Sequence, residues 1–199
     1  MKRIFSLLLA TTMFLVACKN NKLKETTVIT SADGKEKDSV DPKQMQNAVQ
    51  EIEKQKEELE KLTPLTPDQL KAMIPENLMG AKRTNIESNS SMGANLALGE
   101  YELNDSTRIS LNIYDCGGPA GAGIYGLQFA GLLNNLHDND EEYIKSIDFN
   151  GDKAFEQCDK TSNDCTFSFF SGRRFLVILE GKYVGAEALK QAAKGLNIK

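Results

Sequence analysis

The stretch of the sequence with the clearest potential for chemistry is glycine-rich and reads DCGGPAGAGIYG at positions 115–126. Gly117, Gly118, Gly121 and Gly123 precede or open a predicted helix, where free backbone N–H groups can bind an anion or a small ligand. The stretch also satisfies the G-x-G-x-x-G pattern, but a dinucleotide site requires a parallel β-α-β unit. The strands predicted nearby are antiparallel. Two interpretations therefore remain, a simple anion or small-ligand site and close packing of a helix on a sheet.

A cysteine and a histidine could act together in nucleophilic catalysis, and the chain offers one such combination. His137 is the single histidine, and Cys116 lies at the other end of the same predicted helix. About 16 helical residues would separate the two by roughly 24 Å, whereas a nucleophile and its base must approach to about 3 Å. The pair is therefore excluded as a dyad. Cys116 alone is predicted to be either an oxidant-reactive thiol or a small buried apolar residue.

Two acidic stretches, DNDEE at 138–142 and DFNGD at 148–152, carry oxygen ligands of the kind that calcium prefers. Neither has the ligand spacing of an EF-hand loop, so both are interpreted as solvated turns. One histidine is too few for a typical catalytic zinc site. The sequence predicts no metal, no cofactor and no catalytic residue, although catalysis by some pair among its 28 acidic side chains stays open.

Two further cysteines are predicted to form a disulfide. Cys158 and Cys165 flank DKTSND, a turn-forming hexapeptide between two predicted strands, so they would face each other across a hairpin. A bridge that closes so short a loop contributes on the order of 2 kcal/mol to stability. The arginines at 173–174 begin the next strand and are interpreted as solubilising side chains at a sheet edge, with recognition of a carboxylate or phosphate as the alternative.

Alternating and apolar segments predict the elements that would position these residues. Strands are predicted near 82–88, 95–103, 107–115, 143–149, 153–158, 165–170 and 173–180, and helices near 41–62, 66–73, 121–137 and 185–197. Asn150-Gly151 is a strong hairpin signal, and the run at 175–179 is apolar on both faces, as in a central covered strand. The predicted fold class is α+β, a largely antiparallel six- to seven-stranded sheet packed with helices. The element order resembles the α+β sandwich of PsbP-like proteins.

The first 18 residues have the form of a secretory leader that ends at a cysteine. Lys2 and Arg3 precede an apolar run over 4–16, which is too short to span a bilayer comfortably because about 20 residues are needed. The end of the run, Leu15-Val16-Ala17-Cys18, resembles the lipobox of bacterial lipoproteins. That resemblance implies cleavage of the signal peptide 1–17 and attachment of fatty acyl chains, such as palmitate, to Cys18.

The same resemblance implies a location and an order of domains. Lys19 stands where an aspartate would retain such a protein in the inner membrane, which favours the outer membrane, facing the periplasm. Residues 18–40 are mostly polar and are predicted to be a lipidated flexible tether. A spacer helix over 41–62 follows, interpreted as solvated, with a partner helix or the flank of the domain as alternatives. The globular α+β domain is predicted over 64–199.

Composition limits the partners and the function. Loss of Lys2 and Arg3 with the leader moves the formal net charge from −4 to −6, so nucleic acid is not an expected partner. The chain also resembles uncharacterised envelope lipoproteins of bacteria. We therefore predict a lipid-anchored cell-envelope protein with a non-catalytic binding or scaffolding domain, whose partners are the membrane and another envelope protein. The alternatives are an envelope enzyme of unrecognised type and an anion or small-ligand binder at 117–126.

Overall fold

The computed structural model describes residues 42–91 and 93–198. The predicted signal peptide 1–17, the lipid-bearing Cys18 and the tether 18–40 lie outside the described residues and stay predictions. Within the described part of the chain, no helix combines the length and the hydropathy that crossing a membrane requires.

Four helices and nine strands make up the described residues. In chain order they are α1 Pro42–Leu59, α2 Pro67–Lys71, β1 Asn77–Leu78, β2 Ala81–Ser91, β3 Ala94–Glu102, β4 Arg108–Asp115, α3 Gly118–Asn134, β5 His137–Asp138, β6 Glu142–Phe149, β7 Asp152–Asp159, β8 Cys165–Ser171, β9 Phe175–Lys182 and α4 Ala186–Gly195. These bounds agree with most of the predicted elements to within a few residues. The short helix α2 begins with a capping box, in which Thr66 and Gln69 satisfy each other's backbone N–H groups.

The strands form one open sheet in the order β1-β2-β3-β4-β9-β8-β7-β6-β5, and each neighbouring pair is antiparallel. The predicted α+β class with an antiparallel sheet is therefore confirmed. The predicted count of six to seven strands is slightly low because β1 and β5 each contain two residues. Two residues are too few for an alternating pattern to appear in a sequence.

Strand β9 lies at the centre of the sheet and is covered on both faces, as its apolar run predicts. Val177 and Leu179 belong to the larger core, which α2 and α4 cover. Leu176 points to the opposite face and packs in a second core beneath α1 and α3. In that second core the ring of Tyr125 lies 4.6 Å from the ring of Phe170, centroid to centroid. The architecture is thus three layers, with helices on both faces of the sheet.

Helix α1 lies against the domain and not in solvent, which corrects the interpretation of segment 41–62 as a solvated spacer. Ile52 and Leu59 are buried against α3, and they are seven residues apart, so both lie on the same face of α1. The other side chains over residues 46–58 are largely exposed, as the many charges of the helix suggest. This packing corresponds to the alternative interpretation of the sequence, in which the helix lies on the flank of the domain.

The predicted disulfide is confirmed. Cys158 and Cys165 pair directly across β7 and β8 with their Cα atoms 4.1 Å apart, and their sulfur atoms are bonded. Both residues are buried in the larger core. The predicted Asn150-Gly151 hairpin turn is also present, and both residues have positive φ angles, as a type I′ turn requires.

Candidate functional site

The glycine-rich stretch lies where three parts of the chain meet. Strand β4 ends at Asp115, and α3 begins two residues after the buried Cys116. The turn between β8 and β9 and the connection between α1 and α2 both reach this point. We call this site the Asp115 junction and define it by Thr63, Leu65, Asp115, Gly117 and Arg174.

Asp115 is the centre of the junction, and its side chain is fully buried. Oδ1 accepts hydrogen bonds from Arg174 Nε at 2.7 Å and from the backbone N–H of Gly117 at 3.0 Å. Oδ2 accepts from Arg174 Nη2 at 3.0 Å and from the backbone N–H of Leu65 at 2.6 Å. Each carboxylate oxygen thus receives two donors, which satisfies a buried carboxylate and offsets its loss of hydration.

The two arginines predicted to protect a sheet edge instead join α1 and its connection to the centre of the sheet. Arg174 Nη2 also donates to the backbone oxygen of Thr63 at 2.7 Å. Arg173 Nη2 lies 3.1 Å from Glu58 Oε2 and 3.2 Å from Gln55 Oε1, both on α1. The edge interpretation fails because β8 and β9 are interior strands.

Three of the four candidate glycines are explained by close approach of the backbone. A Cβ on Gly118 would lie 2.7 Å from Pro64 Cγ, and the residue has a φ of +81°. A Cβ on Gly121 would overlap the backbone at the end of β4, and one on Gly117 would lie 3.0 Å from Arg174 Nη2. Gly123 faces open space and does not join the other three.

An external anion would compete with groups that already occupy the start of α3. The carboxylate of Asp115 accepts the N–H of Gly117, which is the N-cap of this helix. Pro64 and Leu62 lie against Gly118 and Gly117. The protein therefore supplies its own anion at the helix N-terminus, where negative charge is favourable. The geometry favours the packing interpretation of the glycines over the ligand-binding one.

Cys116 and His137 lie at opposite ends of α3, as their spacing in the sequence predicts. Cys116 is completely buried, and this burial raises the pKa of its thiol to about 12. Such a thiol stays protonated at neutral pH, which fits a small buried apolar residue. His137 lies in β5, with Nε2 3.2 Å from Glu142 Oε1, and so pairs with one of the acidic residues.

The acidic stretches are engaged in ion pairs at the surface. Asp138 lies 2.7 Å from Lys160 Nζ and 3.1 Å from Lys145 Nζ. The hydrogen bonds from Lys160 and then Lys145 lower the pKa of Asp138 to about 2. Asp148 pairs with Lys153 at 2.8 Å. Across residues 42–91 and 93–198, no three His, Cys, Asp or Glu side chains come together as a metal ion would need.

The partners of Asp115 were not predicted from the sequence, although the glycines beside it were identified. A carboxylate directly before Cys-Gly-Gly at a strand end is a usable signal, since Asp readily accepts from nearby N–H groups. Its pairing with Arg174, 59 positions away, has no local signal. A groove of about 510 Å³ between the α2–β1 region and α4 was also not predicted, and its lining includes Met73, Leu78 and Ala192.

Comparison of the chain with protein-family models, curated proteins and solved structures finds no match. The class that the fold itself defines is an α+β protein with an open nine-stranded antiparallel sheet between two helical layers. The resemblances to lipoproteins and to PsbP-like proteins therefore stay predictions.

Proposed function

We propose that the protein is a lipid-anchored cell-envelope protein whose globular domain is a non-catalytic scaffold that binds other envelope components. The anchor is inferred from the lipobox resemblance at 15–18. The observation that carries the scaffolding part of the proposal is the Asp115 junction. The connection that follows α1 is tied there to the middle of the sheet by two hydrogen bonds, from the Leu65 N–H to Asp115 and from Arg174 to the Thr63 backbone oxygen. Gly117 and Arg174 donate the other three bonds that the buried carboxylate accepts.

A domain that is held to a membrane through its N-terminal side needs a firm attachment between that side and its core. Helix α1 is attached by two kinds of contact. Ile52 and Leu59 pack in the second core, and Glu58 and Gln55 bind Arg173 at the β8–β9 turn. These contacts set the direction of α1 relative to the sheet, so that the point at which the predicted tether joins the domain is fixed.

The same contacts support a non-catalytic role for the groups that the sequence singled out. A carboxylate that accepts four hydrogen bonds has no lone pair free to serve as a general base. A thiol with a pKa near 12 is a poor nucleophile at neutral pH. Asp115, Arg174 and Cys116 therefore act as structural residues.

The experiment is fractionation of cells that express the wild type, Cys18→Ser or Cys116→Ala. We expect the wild type and Cys116→Ala in the membrane fraction, labelled by a clickable fatty acid, and Cys18→Ser unlabelled in the soluble fraction. Residence of Cys18→Ser in the membrane would contradict the anchor. Covalent adducts with other envelope proteins, formed by a short crosslinker, should require Cys18. Identical adducts from the soluble variant would contradict scaffolding at the membrane.

A further inference from the structure

Strand β2 has a long outer edge to which no described strand is paired. It spans 11 residues, but β1 pairs only with Ala81 and Lys82 at its beginning. The backbone N–H of Arg83 then donates to the backbone oxygen of Glu76 at 2.8 Å. The outer edge of the remaining segment, residues 84–91, faces away from β3. An unpaired strand edge is a template for the addition of another strand.

The hairpin register shows which backbone groups this edge presents. Only two positions separate Ser91 from Ala94, which face each other, so this pair is hydrogen-bonded and every second pair along the ladder is too. Residues 85, 87 and 89 therefore direct their N–H and C=O groups towards β3. Ile86, Ser88 and Ser90 direct theirs outward, and no described residue outside β3 hydrogen-bonds to them.

The register irregularity between Arg83 and Asn85 explains why the outward positions change from odd to even numbers. Before the irregularity, the backbone N–H of Arg83 points away from β3, as its hydrogen bond to the Glu76 oxygen shows. After the irregularity, the backbone N–H and C=O groups of the even-numbered residues point away from β3. A β-bulge shifts the alternation by one residue in this way. The free edge thus begins at the bulge and ends at the connection to β3.

We propose that this edge pairs with the same edge of a second copy of the chain, antiparallel and about a two-fold axis at Ser88. In this register Ser88 faces Ser88 of the second copy, and Ile86 faces Ser90 at either end. All three pairs join outward-pointing residues, so each can exchange two backbone hydrogen bonds, as in a regular antiparallel ladder. Two nine-stranded sheets would become one continuous sheet. This inference is independent of the lipid anchor and goes beyond the proposed function.

Charge and length favour a second copy as the occupant. Within residues 84–91 the only charged side chain is Glu87, and there is no proline or lysine to prevent pairing. The two-fold register places Glu87 opposite Asn89 of the second copy, so no like charges are directly opposed. The free edge is bounded by β1 on one side and the 92–93 connection on the other, and in this register two such edges match end to end.

The opposite edge of the sheet is less suited to pairing. Strand β5 pairs with Tyr143 and Ile144 of β6. Residues 145–149 pair with β7 on their inner side, and no described strand pairs with their outer edge. Lys145 and Asp148 stand on this short segment and form ion pairs with Asp138 and Lys153. Charged side chains on a short free segment discourage the addition of another strand.

Disulfide crosslinking in the full chain tests the proposal. Directly opposed residues of a hydrogen-bonded pair have Cα atoms about 5.5 Å apart, within the range that a disulfide spans. Ser88→Cys should therefore shift to twice the mass on a non-reducing gel after mild oxidation. Ser90→Cys is the matched control, because position 90 of one copy would lie about 14 Å from position 90 of the other. It should stay monomeric.

Several outcomes would overturn the proposal. These are a monomeric Ser88→Cys, equal crosslinking of Ser90→Cys, or an adduct of Ser88→Cys with a different protein. A second pair of variants checks the register by sedimentation of the detergent-solubilised full chain. Ser88→Lys opposes two like charges and should lose the dimer, whereas Asn89→Lys faces Glu87 of the second copy and should retain it. A dimer that survives Ser88→Lys would also refute the pairing.

Discussion

The Asp115 junction gives the sharpest stability prediction, through the substitution Asp115→Asn. The amide is nearly the same size as the carboxylate, but it carries no charge, and its NH₂ group faces two donors. Of the four hydrogen bonds that the carboxylate accepts, two are therefore lost. Arg174, whose side chain is 21% exposed, would keep its charge without its partner.

The size of the effect follows from burial. Removing one charge of a buried ion pair costs about 3–5 kcal/mol, and the partial exposure of Arg174 favours the lower end, about 3 kcal/mol. For a protein of this size, about 3 kcal/mol lowers the melting temperature by roughly 6–12 °C. The matched control is Asp148→Asn. Asp148 pairs with Lys153 at 2.8 Å, but these side chains are 80% and 59% exposed, so we expect a loss of at most about 1 kcal/mol.

The assay is urea and thermal unfolding of both variants in the Cys18→Ser background, followed by circular dichroism. The urea midpoint should fall markedly for Asp115→Asn and hardly at all for Asp148→Asn, with similar slopes. Equal losses for the two substitutions, or a loss below about 1 kcal/mol at Asp115, would refute the reasoning that burial makes this carboxylate structural.

Two further predictions concern residues of the glycine-rich stretch. Gly118→Ala should destabilise the protein by about 1–2 kcal/mol or more, because Gly118 has a positive φ and lies against Pro64. Gly123→Ala, in open space within α3, should stabilise the protein by up to about 1 kcal/mol. Urea unfolding of both variants measures these changes, and effects of the same sign would contradict the explanation. The thiol of Cys116 should not react with an aromatic disulfide reagent at pH 8 in the folded protein, because burial raises its pKa to about 12. It should react fully in denaturant, and rapid reaction in the folded state would contradict its structural role.

Much of the fold could be predicted because it is encoded by local patterns. The spacing of Cys158 and Cys165 around a turn-forming hexapeptide predicts a cross-strand pair, and the structure contains it. The run at 175–179 predicts a central strand because apolar residues on both faces must be covered on both faces. The function predicted from the lipobox resemblance is encoded just as locally, but it concerns residues outside those described.

Other features depend on segments that are distant in the sequence. The sequence suggested an edge role for the arginines at 173–174, but the structure places them between α1 and the buried Asp115. The sequence suggested a solvated spacer over 41–62, but Ile52 and Leu59 of this helix pack in the second core with α3. The two-residue strands at the edges of the sheet have no pattern of their own.

By itself, then, the sequence determined the kinds and order of the longer elements and the disulfide, and it drew attention to the glycines beside the start of α3. Each follows from side-chain period or turn chemistry within a few residues. Only the tertiary structure decided that Asp115 is buried and accepts four hydrogen bonds, that α1 belongs to the second core, and that no described strand pairs with the outer edge of β2 beyond its first residues. The physical reason is that burial and pairing are set by which surfaces meet, and a surface formed by segments far apart in the chain has no local signature.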